Sequence, residues 1–599
     1  MDHAKQAKEI LEGKFNPDGF NVRINISESA GPTVPHVHIH LIQQYKGDIK
    51  KPRSGVRGVL PEKKIKIKMN SIAFIDTEIE PKNQKILDIG GVKGDGYPFH
   101  SASLNDFTTF LRGTDFICGH NIFNHDLKYI HKAVADAGIN SANIIDTLFL
   151  SPLLFPTKPY HALLKDDKLQ TEDTNNPLND SIKAKDLFFD EVAAFHQTDE
   201  ALKKILYWLL NDKKGFHSFF HFIAYKSSDT NLEKLIREKF HSEICEHADL
   251  TKLISELPIE LAYSLALINC RNRYSITPPW VLKTYPEIER VMIALRNKPC
   301  LTGCVYCNQA LDIHKGLKTY FGFNTYRTYA GEQLQENAVK AAVDNKSLLA
   351  VFPTGGGKSI TFQVPALMSG VATKGLTVVI SPLQSLMKDQ VDNLEKIGIT
   401  DAVTINGLLD PIERGKSFER VQDGSASLLY ISPESLRSKT IERLLLGRKI
   451  VRFVVDEAHC FSSWGQDFRV DYLYIGDFIK QIQEKKNLEE SIPISCFTAT
   501  AKKKVIEDIC AYFKDKLSLD LEIFSSSATR TNLQYKVFEK GDEEEKYNSV
   551  RGLIEERNCP TIIYVSRTKK AYSLAERLTE DGFNSKPYHG KMDVKEKTA

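Results

Sequence analysis

The sequence predicts a multidomain α/β protein, and three observations support this fold class. The chain has 599 residues, of which 42% are hydrophobic and 26% are charged, and this length exceeds what one hydrophobic core accommodates. From Ser347 onward, short apolar runs typical of buried strands alternate with helical runs. Such alternation gives a parallel sheet covered by helices on both faces. Upstream, residues 182–268 are mostly helical in period.

Proline and glycine breaks, together with changes in pattern, divide the chain into five expected segments. The predicted boundaries are 1–69, 70–213, 214–315, 316–535 and 536–599. Apolar strands are expected early in the second segment, at 71–76 and 85–92. The third segment is predicted to be a helical connector, and the fourth to be the parallel sheet. The fifth begins a second sheet at Thr561 (TIIYVS), which the chain does not continue far enough to close.

Composition argues against secretion and membrane insertion. No run of eighteen apolar residues is present, and residues 1–14 form a charged helical pattern rather than a leader. Ten cysteines are too few for a disulfide scaffold, so we expect a reducing compartment, the cytoplasm. The net charge of +3 neither requires nor excludes a nucleic-acid partner. Residues 45–69 hold nine basic and two acidic residues, which fits either a solvated linker or a phosphate-binding patch.

A glycine-rich segment, PTGGGKS at residues 353–359, lies directly between an apolar strand and a helical run. Its three glycines allow backbone amides to turn onto a phosphate, and the following helix contributes its positive N-terminal end. Lys358 can reach the outer phosphates and Ser359 can hold Mg²⁺, although Phe352 occupies the position of the usual first glycine. This segment predicts a nucleotide-binding loop.

An acidic motif supports the same prediction. About a hundred residues later, the apolar strand IVRFVVD runs into DEAH, at residues 456–459. Asp456 is placed to bind Mg²⁺ through water, and Glu457 to polarise the attacking water. The two motifs together predict a domain that hydrolyses ATP.

The residues that follow DEAH indicate which family of ATP-hydrolysing proteins the chain resembles. CFSSWGQDFRVDY resembles the aromatic-rich loop of the RecQ family of DNA helicases. In such a loop, Trp464 and Phe468 offer faces on which single-strand bases stack, and Arg469 can pair with phosphate. The sequence departs from the family at Gln466, where His is usual, and at Val470, where Pro is usual.

Further motifs follow in the order found in that family. They are GEQLQENAV, SPLQSLMKDQ, ISPESL, FTATA, IIYVSRT and YHGKM. The resemblance covers roughly residues 320–599 and implies a first RecA-like domain at 316–535 and the start of a second at 536–599. It also implies 3′ to 5′ DNA unwinding driven by ATP and Mg²⁺, with single-stranded and 3′-tailed duplex DNA as partners, in repair and recombination.

The resemblance also implies roles for individual residues. Those expected to be catalytic are Lys358, Asp456, Glu457 and His459. ATP is expected to be bound by Gln335, Thr354, Gly355, Gly356, Gly357, Lys358 and Ser359. DNA is expected to be bound by Trp464, Phe468, Arg469 and Arg567. The arginine finger of the family would lie beyond Ala599, so we expect this chain to bind nucleotide but to hydrolyse it poorly.

Acidic residues upstream indicate a second site. FIDTEIE places Asp76 and Glu78 on one face of a strand, and GHNIFNHD places Asp126 on a helix. With Asp180 from NNPLND, they could hold the two Mg²⁺ or Mn²⁺ ions of phosphodiester hydrolysis. The set resembles the DnaQ-like 3′ to 5′ exonucleases of the DEDD type, which implies an RNase H-like fold for residues 70–213.

The general base of such exonucleases is missing from its usual place. A His five residues before Asp180, or a Tyr four before it, would be expected, but Asn175 and Asn176 stand there. Because an amide cannot accept a proton from water, either His161 substitutes or the domain keeps only a grip on DNA. Besides a helicase, the chain could therefore be an exonuclease that uses the motor for loading, or a nucleotide-controlled DNA clamp.

Three histidines mark the first segment. In GFNVRINISESAGPTVPHVHIHLIQQYKGD, His36, His38 and His40 alternate along a strand and share one face. They could bind a metal, but the segment resembles the histidine-triad (HIT) nucleotide hydrolases and transferases, in which His38 would be the nucleophile. The first half of such a domain has no room before Met1, so we expect a partial, α+β HIT segment.

A cysteine cluster lies in the connector. Cys300, Cys304, Cys307 and His314 have the spacing C-x3-C-x2-C-x6-H, close to that of a tetrahedral structural Zn²⁺ site, and Cys270 is an alternative fourth ligand. The other interpretation is a set of buried thiols without a metal.

Overall fold

The computed structural model describes most of the chain after residue 70. The described ranges are 71–163, 176–271, 275–407, 409–462, 469–499, 502–526, 534–539, 541–589 and 592, with the backbone alone of 19–25, 38–44 and 469. The chain divides into two compact units, residues 1–527 and 528–599. No helix in the described ranges combines the length and the apolar character needed to cross a membrane.

A hairpin lies in the first segment. Strands β1 (Gly19–Asn25) and β2 (His38–Gln44) pair antiparallel, with His38 opposite Asn25 and His40 opposite Arg23. The predicted histidine strand is therefore observed from His38 onward. His36 lies outside the described residues.

A five-stranded mixed sheet forms the next part of the first unit, in the order β5-β4-β3-β6-β7. Its strands are β3 Ile72–Ile79, β4 Ile86–Lys93, β5 Pro98–His100, β6 Phe116–Gly119 and β7 Ile144–Asp146. Its helices are α1 Leu104–Leu111, α2 Leu127–Asp136, α3 Thr147–Leu154 and α4 Pro177–Gln197. Strands β3 and β4 agree with the two strands predicted from the apolar runs, and β3 buries its first four residues completely because helices cover both faces of the sheet.

The connector is helical, as its amphipathic pattern predicts. It contains α5 Glu200–Leu210, α6 His217–Phe222, α7 Leu232–Lys239, α8 Leu250–Glu256, α9 Pro258–Asn269, α10 Pro279–Thr284, α11 Ile288–Arg296, α12 Cys307–Ala310 and α13 Ile313–Phe321. One hydrophobic cluster runs from Ile72 in β3 through Phe188 and Leu265 to Met368 in the following domain. The connector is thus packed against both of its neighbours.

A seven-stranded, all-parallel sheet completes the first unit, in the order β10-β11-β9-β12-β13-β8-β14. The strands are β8 Leu348–Val351, β9 Leu376–Ile380, β10 Ala402–Ile405, β11 Leu428–Ile431, β12 Ile450–Val455, β13 Ile494–Thr498 and β14 Glu522–Ser525. The helices are α14 Leu334–Val343, α15 Lys358–Thr373, α16 Gln384–Lys396, α17 Pro411–Gln422, α18 Lys439–Leu446, α19 Arg469–Lys485 and α20 Lys503–Leu517. This RecA-like parallel sheet confirms the predicted fold class.

The second unit holds two described helices, α21 (Glu543–Arg557) and α22 (Thr568–Glu580). They are joined by a cation–π contact, in which the Arg577 guanidinium lies 3.6 Å from the Tyr547 ring centroid. The strand expected at 561–566 is not formed. A strand needs a hydrogen-bonded neighbour, and the described residues of this unit supply none.

Candidate functional site

The phosphate-binding loop predicted from the sequence joins β8 to α15. Gly355 and Gly357 adopt φ values of +75° and +83°, which side chains with a Cβ rarely tolerate. Gly357 is the residue before the helix, and Lys358 begins it. The loop therefore places the positive end of α15 and the Lys358 side chain at the carboxyl edge of the sheet.

The acids of DEAH lie opposite this loop, at the end of β12. Lys358 Nζ is 3.5 Å from Glu457 Oε1. The Asp456 carboxylate accepts a hydrogen bond of 2.9 Å from the Glu457 backbone N–H and one of 3.5 Å from Ser381 Oγ. Burial and the nearby Glu457 raise the pKa of Asp456, as expected for a buried carboxyl beside a second acid. Glu457 itself has a left-handed backbone with φ of +49°, a strained conformation that is concentrated at functional sites.

His459 connects the acids to the neighbouring strand. Because β13 lies between β12 and β8 in the sheet, its last residue, Thr498, emerges between the two motifs. His459 Nδ1 lies 3.2 Å from Glu457 Oε2 and 3.1 Å from Thr498 Oγ1. The hydrogen bond from His459 is the main cause that lowers the pKa of Glu457. Thr498 begins the TAT part of FTATA, so this contact links the hydrolytic acids to that motif.

The loop carbonyls are contacted by Gln335, which the sequence predicts to bind ATP, and by Arg327 and Tyr329, which the sequence did not single out. Gln335 is 2% exposed; its Nε2 donates to Gly357 O at 2.9 Å, and its Oε1 accepts from the Arg327 backbone N–H at 2.7 Å. The Arg327 guanidinium donates to Gly355 O at 2.5 Å, and the Tyr329 hydroxyl donates to Gly356 O. Tyr329 also stacks on Phe352, with ring centroids 4.7 Å apart. The sequence feature that could have indicated Arg327 and Tyr329 is the presence of basic and aromatic residues just before GEQLQ.

The predicted DNA contacts are only partly described. Trp464 and Phe468 lie outside the described residues, as does the side chain of Arg469, whose backbone begins α19. Arg567 is exposed in the second unit, immediately before α22.

The four acids predicted upstream act on one another electrostatically. Burial and then the charges of Asp126, Asp180 and Glu78 raise the pKa of the Asp76 carboxyl to about 8, against a lowering effect of His125. Asp126 is 1% exposed, and one of its oxygens accepts hydrogen bonds from the Thr77 N–H at 2.9 Å and from Thr77 Oγ1 at 2.7 Å. A buried group of like charges is unfavourable unless cations bind there.

A glycine brings Asp180 to this group. Gly90 is the cross-strand partner of Asp76 in the β3–β4 pair. A Cβ on Gly90 would lie 2.1 Å from the backbone of Pro177 and Leu178, at the start of α4. Only glycine lets the helix approach this closely, and the first turn of the helix carries Asp180.

His161 does not fit the role of substitute general base. It is 7% exposed, its Nδ1 lies 2.8 Å from Ser151 Oγ, and burial lowers its pKa to about 4. The imidazole beside the acids is instead that of His125, whose Nδ1 lies 3.5 Å from Asp126 Oδ1 and whose side chain is half-exposed.

The structure corrects the proposed cysteine–histidine ligand set. His314 Nε2 lies 3.0 Å from Glu336 Oε1 and its ring packs on Tyr326, away from the thiols. It lies on α13, which turns it towards α14. The Cys270 thiol donates to Leu267 O at 3.0 Å. Cys300 and Cys304 instead meet Cys245 and His247, which the local spacing could not reveal.

Comparison with known proteins gives two family matches. Residues 332–509 match the DEAD/DEAH box helicase family, and residues 1–47 match the HIT domain family. The chain is 33% identical over 298 residues to the ATP-dependent DNA helicase RecQ of Haemophilus influenzae, and 36% identical over 276 residues to that of Bacillus subtilis. It is 35% identical over 272 residues to the ATP-dependent helicase SGS1 of Saccharomyces cerevisiae.

These matches cover part of each protein. The alignments take in 50%, 46% and 44% of this chain, and 44%, 43% and 18% of the three relatives. The chain therefore spans less than half the length of these curated relatives.

Proposed function

We propose that residues 316–535 are the first motor domain of an ATP-dependent DNA helicase of the RecQ type. The observation that carries the proposal is the contact between Lys358 and Glu457 across the phosphate loop, in a segment similar to RecQ helicases of bacteria and yeast. The proposed partners are single-stranded and 3′-tailed duplex DNA, which the motor would separate in the 3′ to 5′ direction during repair or recombination.

Each group around the loop has a distinct part in ATP hydrolysis. The backbone amides of Gly355, Gly356 and Gly357 and the Lys358 ammonium bind the phosphates and stabilise the charge that develops on them. Glu457 is the group that orients and polarises the attacking water. Its depressed pKa keeps it ionised at neutral pH, as this role requires. Because Lys358 contacts Glu457, the phosphates of ATP would compete with this carboxylate for the lysine.

Oxygen ligands for a divalent cation are present beside the loop. Ser359 and Asp456 would hold Mg²⁺, directly and through water, and the ion would supply positive charge to the phosphate oxygens. A hydroxyl and a carboxylate fit this hard cation. Gln335 and Arg327 position the loop through its carbonyls, as Tyr329 does.

Binding of single-stranded DNA would affect the acids of DEAH through His459. The aromatic-rich loop follows DEAH directly, and His459 contacts both Glu457 and Thr498. A shift of the loop caused by bases stacking on Trp464 and Phe468 would therefore reposition the group that polarises water. Arg469 and Arg567 are proposed to bind the DNA backbone.

Equilibrium ATP binding tests the nucleotide site. Loss of a charge-assisted contact costs about 1.5–3 kcal/mol, so Lys358→Ala should weaken ATP binding by roughly tenfold to a hundredfold. Lys340→Ala, which alters an exposed lysine on α14, should leave the affinity unchanged. Equal affinity in the wild type and Lys358→Ala would exclude the proposed site.

A second proposed activity is metal-dependent 3′ to 5′ DNA cleavage by residues 70–213. It is supported by the four acids, whose charges raise the pKa of Asp76 together with burial. Asp76, Glu78, Asp126 and Asp180 would hold Mg²⁺ or Mn²⁺, which would activate water and stabilise the leaving oxygen. Without cleavage, the same surface would only hold DNA. A separate alternative is a non-enzymatic DNA-binding module whose ATP loop acts as a nucleotide-controlled clamp.

Degradation of 5′-labelled DNA without ATP tests this second activity. Mn²⁺-dependent shortening that disappears in Asp76→Ala, but persists in Asp136→Ala at an exposed position of the same sheet domain, would support it. No shortening by the wild type at any metal concentration would leave only the binding role.

The remaining assignments concern the first segment and the cellular location. We propose that residues 1–69 are a partial HIT segment in which His38 occupies the position of the nucleophile. All ten cysteines are free, which fits a reducing compartment, and we place the chain in the cytoplasm with DNA. A structural Zn²⁺ in the connector belongs to the same proposal.

A further inference from the structure

Two loops of the connector bring four potential metal ligands together. Cys245 and His247 lie between α7 and α8, and Cys300 and Cys304 lie between α11 and α12. One ligand atom from each of the four lies within 4.8 Å of every other. The two pairs are more than fifty residues apart in sequence, so their convergence results from the fold and not from local spacing.

Backbone contacts hold the two loops together. The Cys245 N–H donates to Leu295 O at 2.8 Å, and the Val305 N–H donates to Glu246 Oε1 at 3.3 Å. Between the second pair of cysteines, Gly303 has φ of +74° and its N–H donates to Cys300 O. This turn directs the Cys300 and Cys304 thiols to the same side. The ligands are thus positioned by interactions that do not depend on a metal.

We propose that Cys245, His247, Cys300 and Cys304 form a structural Zn²⁺ site. Three thiolates and one imidazole are a common ligand set for tetrahedral zinc, with Zn–S distances of about 2.3 Å and hence sulfur–sulfur distances of about 3.8 Å. The observed limit of 4.8 Å is compatible with that geometry. All four positions of the tetrahedron would be filled by protein, which is typical of a structural site and leaves no place for substrate.

Neighbouring groups fit the same assignment. Thr302 Oγ1 lies 3.3 Å from His247 Nε2, and a hydrogen bond to the second ring nitrogen usually orients a metal-bound imidazole. The Cys307 N–H donates to Cys304 Sγ at 3.4 Å, a contact that stabilises a thiolate. The Cys307 thiol also lies close to Cys245. We assign it to the surroundings of the site because it is not part of the group of four.

The position of the site indicates which part of the protein a bound Zn²⁺ would stabilise. The segment after Cys304 leads into α12 and α13, and Gly316 on α13 packs against α15, where a Cβ would lie 2.7 Å from Met368 Sδ. Helix α15 begins with Lys358. The zinc would therefore fix the part of the connector that supports the helix of the phosphate loop.

Metal analysis of the purified 599-residue protein tests this proposal. We expect about one zinc and negligible iron per chain, and Co²⁺ exchanged into the protein should give the visible absorption of tetrahedral thiolate coordination. His247→Ala and Cys300→Ser should lose the metal. Cys307→Ser and Cys270→Ser, which alter nearby thiols outside the four, should retain it.

Two further measurements on the wild-type protein, thiol alkylation and melting temperature, test the proposal if a variant fails to fold. Zinc in the wild-type protein should protect the Cys300 and Cys304 thiols from alkylation, and a chelator should expose them and lower the melting temperature. Absence of both zinc and a Co²⁺–thiolate spectrum would overturn the proposal. So would iron with acid-labile sulfide, or loss of zinc from Cys307→Ser with retention in His247→Ala.

Discussion

Lys358 and Glu457 form an ion pair, with 3.5 Å between Nζ and Oε1, although they lie about a hundred residues apart. The pair forms because β8 and β12 are parallel strands of one sheet whose carboxyl ends meet at the same edge. Brought together in this way, the phosphate-binding lysine and the water-polarising acid define the nucleotide site.

Glu457→Gln should separate nucleotide binding from hydrolysis. The amide has nearly the shape of the carboxylate but cannot accept a proton from water. We expect ATP turnover to fall by roughly 10²- to 10⁴-fold, while ATP affinity stays the same or rises because Lys358 loses its competing partner. Turnover and equilibrium binding, measured on the same preparation, check this. Turnover close to that of the wild type would rule out Glu457 as the polarising group.

Thr498→Val should weaken the link between the acids and the FTATA motif. Valine matches threonine in shape but lacks the hydroxyl that lies 3.1 Å from His459. We expect stimulation of ATP turnover by single-stranded DNA to fall by about tenfold, since the loss of one hydrogen bond to a positioned group costs about 1–2 kcal/mol. Thr498→Ser, which keeps the hydroxyl, should retain the stimulation. Equal stimulation in both variants would show that the contact carries no coupling.

Asp76→Asn should stabilise the protein in a pH-dependent way. Because the pKa of Asp76 is about 8 in the folded chain and 3.8 ordinarily, the folded state retains a proton that the unfolded chain loses above pH 4. The free energy of unfolding therefore decreases as pH rises from about 4 to about 8. The variant lacks this decrease, so its advantage in free energy of unfolding should grow across that window by about a few kcal/mol. Melting temperatures measured across the same window should show the same trend.

Added Mg²⁺ should reduce the advantage of Asp76→Asn, because cations offset the repulsion among the acids. Asp136→Asn, at an exposed position, should show no such pH trend. A constant difference between Asp76→Asn and the wild type from pH 5 to pH 8 would contradict the account of the acidic group.

Gly90→Ala should disturb the acidic group without affecting the nucleotide site. The added Cβ would meet the backbone of Pro177 and Leu178 at 2.1 Å, so α4 would have to move and carry Asp180 with it. We expect metal-dependent DNA cleavage to be lost and ATP affinity to stay within twofold. Preserved cleavage would show that Asp180 does not need its observed position.

The local motifs could be predicted from the sequence because each lies within a few residues and beside a buried strand. Examples are the phosphate loop, DEAH, and those strands of the parallel sheet that have continuous apolar runs. Strands β10 and β14 are not indicated by continuous apolar runs, because polar residues interrupt AVTI and EIFS. Arg327 and Tyr329 act through backbone carbonyls of the loop, and no spacing rule indicates such contacts.

Ligand sets that depend on tertiary structure could not be predicted in full. The histidine six residues after Cys307 has suitable spacing, but α13 turns His314 towards Glu336. Cys245 and His247 come from a loop more than fifty residues upstream and join Cys300 only through helix packing. The environment of His161, one of two alternatives left open for the missing general base, also depends on tertiary structure, since its ring is buried beside Ser151.

ATP turnover with and without single-stranded DNA tests the central claim most directly. The measurement compares the 599-residue chain with Lys358→Ala and with the exposed-site control Lys340→Ala. The account predicts turnover that is low, as expected for this chain, but that rises with DNA in the wild type and in Lys340→Ala and falls to background in Lys358→Ala. Turnover that is unchanged by DNA, or that survives in Lys358→Ala, would contradict the assignment of a DNA-dependent motor.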